Sequence, residues 1–169
     1  MKIYTYPDPV LRAHAEPVDE IDNDTQQLID DMIETMYEAP GIGLAANQVG
    51  VLKRIIVFEA FPREKKRSPQ VLINPEILLS DGKIVSEEAC LSVIDYAADV
   101  NRASHIRVRG LDRQGDVIEI DAEDLKAVCL QHEIDHLDGI LFIDHISGLK
   151  RSLYKKKLKK KLKESEKPD

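Results

Sequence analysis

Apolar residues along this chain follow two periods, and the switches between them mark the elements. Leu28, Met32 and Met36, with Ile29, Ile33 and Tyr37, recur at helical spacing and predict a helix over Thr25–Glu38, with Asn23 and Gln26 as its cap and Pro40-Gly41 as its stop. Pro7, Pro9 and Pro17 keep residues 1–20 extended. The β-branched run Arg54–Phe58 predicts a strand. Val71–Leu79 and Lys83–Ser86 read as strands around the turn Ser80-Asp81-Gly82, and Phe61–Pro69 reads as a charged loop. Ile106–Arg109 and Val117–Ile120 read as a hairpin through Asp112-Arg113-Gln114-Gly115. Leu125, Val128, Cys129, Ile134 and Leu137 restore the helical period, with Asp121 as N-cap, Asp124 following it, and Gly139 as the stop. The order of elements predicts an α+β fold, with antiparallel or mixed sheets around this helix. Residues 1–149 are expected to form one domain, followed by a basic helix and tail over 147–169.

Composition narrows the picture. A hydrophobic fraction of 43% and a charged fraction of 33% fit a globular domain with its own core. No apolar run is long enough to span a bilayer, and the N-terminus has no signal-type apolar stretch, so a cytoplasmic chain is expected. The two cysteines, Cys90 and Cys129, then read as ligand or core residues rather than a disulfide. The net charge of -7 divides into +7 for residues 150–169, with ten Lys/Arg and three acids, and -14 for the rest. A basic tail on an acidic body points to an anionic partner. Leu149, Leu153, Leu158 and Leu162 would form one broken apolar stripe on that tail helix.

The chemistry sits in Gln131-His132-Glu133-Ile134-Asp135-His136. On a helix, His132 and His136 lie one turn apart on one face and can share a metal ion, with Glu133 beside it to move protons. A catalytic site of this kind needs a third protein ligand and an open position. Cys129 lies roughly 7.5 Å along the axis from the level of such an ion, and its side chain leans away. His14 and His105 carry no supporting motif, and the position where the extended His-Glu-x-x-His protease pattern needs its third histidine holds Phe142. Cys90, just after a predicted strand, is favoured by its chemistry, giving a thiolate and two imidazoles suited to iron(II), zinc, nickel or cobalt. His145 or a distant carboxylate stays open on the residues alone.

Three segments bear a likeness to a known family. Gly41-Ile42-Gly43-Leu44-Ala45-Ala46-Asn47-Gln48, Glu87-Glu88-Ala89-Cys90-Leu91-Ser92 and Gln131-His132-Glu133-Ile134-Asp135-His136 occur in the order and spacing of the peptide deformylases, which the chain resembles from Tyr6-Pro7 to its last helix. The resemblance implies removal of the formyl group from the N-terminal formylmethionine of nascent polypeptides. It implies Cys90, His132 and His136 as ligands of one divalent metal, with Fe2+ the expected ion, and Glu133 as general base and acid. Gln48 and the Leu91 backbone N–H would stabilise the oxyanion. Ile42, Gly43, Leu44, Ala89 and Arg102 would meet the substrate, and the basic helix would contact the ribosome.

The likeness breaks at Ala89, where the family has Gly, at Ile94, where bacterial members have Pro, and at Ala97, where many have Arg. These departures bear on substrate preference and rate, and leave the ligands, Glu133 and Gln48 intact. Two rival readings follow: a non-catalytic deformylase-like binder of peptide or metal, and an endopeptidase built on His-Glu-x-x-His.

Overall fold

The computed structural model describes residues 1–60 and 66–166, so the predicted loop Phe61–Pro69 lies partly outside the described residues. Helix α1 (Asn23–Glu38) is followed by β1 (Gly43–Ala45), a 3-10 turn (Ala46–Val49) and β2 (Ile55–Phe58). Then come β3 (Gln70–Asp81), β4 (Ile84–Cys90), β5 (Val93–Arg102), β6 (His105–Leu111) and β7 (Val117–Glu123). Helices α2 (Asp124–Leu137) and α3 (Gly148–Ser165) close the chain. One antiparallel sheet has the order β1-β2-β3-β6-β7, and a separate hairpin pairs β4 with β5.

The sequence of β2 has no polar alternation because both faces of the sheet are covered. Ile55 and Val57 pack with Ile29, Met32 and Met36 of α1. Ile56 and Phe58 face the other way, into a cluster with Ala127, Leu130, Ile134 and Leu137 of α2. Phe58 is fully buried, and its truncation to Ala would cost about 3–5 kcal/mol. Thus α2 lies against one face of the sheet, α1 against the other. A third cluster joins Leu11, Val93, Val100, Leu141, Phe142 and Ile143 to Tyr154 of α3.

Several local expectations are corrected. The cap of α1 is Asp22 rather than Asn23 with Gln26; its carboxylate accepts from the N–H and hydroxyl of Thr25, both at 2.8 Å. Gln26 instead bonds Arg113. Asp121 does not cap α2: it lies within β7 and pairs with His105 and Arg107. Strand β7 runs on because Ile118, Ile120 and Ala122 continue its register against β6. The turn at Ser80-Asp81-Gly82 passes the chain from the large sheet into the β4–β5 hairpin. Strand β5 is not anticipated by the sequence, because Asp95, Ala97, Ala98 and Asp99 disfavour strands; pairing with β4 prevails over propensity. The leucines of α3 do not form one buried stripe: Tyr154 and Leu158 pack on the body, while Leu149 is 73% and Leu153 59% exposed. Among the described residues, no helix is long and apolar enough to cross a membrane.

Candidate functional site

Three donor atoms converge between α2 and the end of β4. His132 Nε2 and His136 Nε2 are 3.3 Å apart, and Cys90 Sγ is 3.3 Å from His136 Nε2. Together the three residues form a group that could hold a metal ion, their ligand atoms all within 4.8 Å of one another. Helical spacing brings the two imidazoles together. Cys90 arrives at the end of β4, where the register against β5 shifts between Ala89 and Cys90. Cys129 Sγ turns away to the Ile42 carbonyl at 3.7 Å, and burial raises its thiol pKa well above the ordinary value. His145 is bound to Asp135 at 2.8 Å.

The donor set fits a cation. His132 donates its Nδ1 hydrogen to Glu88 at 2.8 Å, which leaves the lone pair on Nε2, facing His136. Burial opposes charge on His132, yet its contacts with Cys90 and Glu88 raise its pKa well above the usual range. Burial and the neighbouring His132 hold His136 well below it. Glu133 Oε2 and His136 Nδ1 are buried without a hydrogen-bond partner among the described residues. An orphaned carboxylate oxygen beside the donor triangle is an acceptor waiting for a donor.

Glu133 is 5% exposed, and burial pushes its pKa up to about 7. Its carboxylate faces β1. A Cβ on Gly43 would come within 2.6 Å of Glu133 Oε1, so only glycine lets strand and carboxylate approach this closely. Gln48 is oriented at both ends: Oε1 accepts from the Ala45 N–H at 2.9 Å, and Nε2 points to Ser92 Oγ at 3.1 Å and Cys90 Sγ at 3.6 Å. The Ser92 N–H donates to Cys90 Sγ at 3.4 Å.

A cavity of about 360 Å³ opens onto this group. Its walls are Ile42 and Gly43 from one side, Ser86, Ala89 and Leu91 from the other, and Leu125, Val128 and Cys129 from α2, with Gln48, Cys90, His132 and Glu133 at the reactive end. Two expected substrate residues lie elsewhere. Leu44 is fully buried in the cluster against α1 and does not line the cavity. Arg102 does not line the cavity: its guanidinium is 4% exposed, forms a two-pronged pair with Glu88 at 2.8 Å and binds Asp135 at 2.6 Å. Each of its charged edges is therefore used internally. Glu88, which links Arg102 to His132, stands in the second family segment but is given no role by the sequence. The available signal is its position two residues before Cys90 on the same strand, which puts both side chains on one face.

Fold and site together define a small α+β hydrolase with a His-Glu-x-x-His helix against an antiparallel sheet. Comparison with known proteins makes this specific: the polypeptide deformylase family model matches residues 1–152, and the chain belongs to that family. It is 58% identical to the peptide deformylase of Thermodesulfovibrio yellowstonii over 161 residues, 95% of this chain and 98% of the relative. It is 54% identical to that of Alkalilimnicola ehrlichii over 160 residues, 95% of this chain and 89% of the relative. Among solved structures, a peptide deformylase from Legionella pneumophila superposes with a TM-score of 0.89 at 46% identity, covering 99% of this chain and 98% of the other. One from Ehrlichia chaffeensis, in complex with actinonin, gives 0.89 at 41% identity over 95% and 96%. The chain is therefore an enzyme, a hydrolase of protein biosynthesis that deformylates nascent peptides.

Proposed function

We propose that this chain releases formate from the N-formylmethionyl end of nascent polypeptides through Glu133, with Cys90, His132 and His136 holding one divalent metal. The observation that carries the reading is the convergence of these three donors beside a cavity whose walls include Cys90, His132, Glu133 and Gln48. A divalent ion there, which we take as iron(II) with zinc, nickel or cobalt able to substitute, supplies Lewis acidity that lowers the pKa of water and polarises the formyl carbonyl.

The protein's own groups do the rest. Glu133, with a pKa near neutral, takes the proton from the attacking water and returns it to the leaving amine. Gln48 Nε2, held by the Ala45 bond to Oε1, donates to the developing oxyanion together with the Leu91 N–H, each preset donor contributing about 3 kcal/mol. Both are uncharged and compete with Glu133 for no proton. Strand β1 is an edge of its sheet, so the backbone of Ile42, Gly43 and Leu44 can pair with an extended peptide, while Ala89 borders the opposite wall. The apolar wall of Leu125, Val128 and Cys129 suits the methionine side chain. Arg102 acts on the substrate only indirectly, by holding Glu88 on His132.

Residues 1–149 are assigned as the catalytic domain. The Lys-rich helix α3 is assigned a contact with the ribosome, which places the reaction in the cytoplasm; removal of residues 150–169 should abolish salt-sensitive cosedimentation with ribosomes. The deciding experiment is formate release from a formyl-Met tripeptide by protein loaded anaerobically with iron(II), with Glu133→Ala as control. Turnover lost in the control supports the assignment. Absence of turnover by the fully loaded parent overturns it.

A further inference from the structure

His132 is held from two directions. Its Nδ1 donates to Glu88, and its ring lies along Phe142, with centroids 6.1 Å apart and planes 24° from parallel. Phe142, 1% exposed, stacks in turn on Tyr96 of β5 at 6.1 Å and 18°. Tyr96 packs against Tyr154 of α3 at 4.6 Å and 33°. Four rings thus form a continuous column from a buried imidazole of the site to the basic helix. Tyr154 is the one buried residue of α3 among those described. Tyr96 lies on β5 between Ile94 and Ala97.

The hydrogen bond at Nδ1 and the 3.3 Å contact of Nε2 with His136 fix two atoms of the imidazole and leave its tilt about the line between them open. The face of Phe142 limits that tilt, and the ring of Tyr96 fills part of the space behind Phe142. Close-packed interiors do not refill such space without displacement. We infer that Tyr96 and Tyr154 are positioning residues for His132, acting through Phe142, so that the ring column, and not the ion pair of α3, couples this helix to the grip on the metal. This rests on the proposed ligand role of His132.

The test uses full-length protein loaded with cobalt(II), reading the visible absorption of the ion and its rate of release to a chelator. Tyr154→Ala should speed release by about fivefold, below the 10–100-fold typical of groups that touch a ligand directly, and should shift the cobalt bands. Tyr154→Phe, which keeps the ring, should restore both. Lys161→Ala removes the ion pair with Asp95 that fastens the same helix without touching the rings, and should leave both as in the parent. Should Tyr154→Ala fail to fold, Tyr96→Leu removes the middle ring and should reproduce the faster release. Unchanged bands and release in the folded ring variants overturn the inference, as does equal acceleration by Lys161→Ala. A parent that binds no cobalt overturns the metal assignment itself, before any variant is compared.

Discussion

Glu88 accepts the Nδ1 hydrogen of His132 at 2.8 Å while Arg102 grips both oxygens of the same carboxylate at 2.8 Å. The imidazole is thereby fixed in one tautomer by a buried carboxylate that is itself fixed by a buried cation. Glu88→Ala should break both ends at once. It strands the Arg102 charge, at a cost of about 3–5 kcal/mol in stability, and lowers metal affinity by roughly 10–100-fold. Chemical denaturation and a chelator competition read the two effects separately.

The same contact sets an acid limit. Desolvation alone would raise the Glu88 pKa, but the hydrogen bonds from Arg102 and His132 prevail and lower it from 4.5 to about 2. A group whose folded pKa is depressed stabilises the fold above its unfolded value and loses that contribution as pH falls through the folded one. The stability advantage of the parent over Glu88→Gln should be complete above about pH 4.5 and fade toward pH 2. Urea unfolding of both proteins across this window is the measurement; a constant difference would contradict the assignment.

Gln48 is a donor placed by its own acceptor end. Gln48→Ala should lower kcat by about 10²–10³-fold with little change in KM, because the lost bond forms mainly in the transition state. Metal content should be unchanged, since the amide nitrogen lies 3.6 Å from Cys90 Sγ and supplies no ligand atom. Steady-state kinetics with metal analysis on the same sample distinguish this from loss of the ion.

Local periodicity carries far in this chain, and it stops at contacts made between distant segments. The unbroken Ile55–Phe58 run reports a strand covered on both faces, and the four-residue spacing of His132 and His136 reports their shared face. Nothing local tells that Arg102 turns inward to Glu88 and Asp135 instead of facing substrate. Its position at the end of β5 depends on a strand whose own residues disfavour it. Asp121 is misread as a helix cap because Asp is suited to that position, whereas its neighbours Ile120 and Ala122 are committed to the β6 register. Phe142 reads only as a missing histidine in the sequence, although its ring lies against a residue ten positions earlier.

Gly43 tests how closely strand and base must approach. A methyl group at this position would lie 2.6 Å from Glu133 Oε1 and 2.8 Å from its Cγ, so the carboxylate or β1 must shift. Displacement of about 1 Å at a reacting group costs on the order of 100-fold in rate. Gly43→Ala should lose about that much in kcat/KM while keeping its metal and its melting temperature within a few degrees. Retained activity would mean that Glu133 tolerates a different position.

Gly139 makes the opposite prediction, for stability more than rate. It ends α2 at φ +72°, and a Cβ there would meet the Arg12 carbonyl oxygen at 2.5 Å. Arg12 in turn bonds the Gly139 carbonyl at 3.1 Å and pairs with Asp144. The chain thus crosses itself just beyond the helix that carries both histidines, with backbone against backbone and no flexible side chain to give way. Gly139→Ala combines an unfavourable left-handed conformation with this clash and should cost about 1–3 kcal/mol. The expected result is a melting temperature several degrees lower, with near-parental kcat below the transition, because the strain falls outside the donor triangle. A large fall in kcat with no loss of stability would show instead that the end of α2 transmits its displacement to His136.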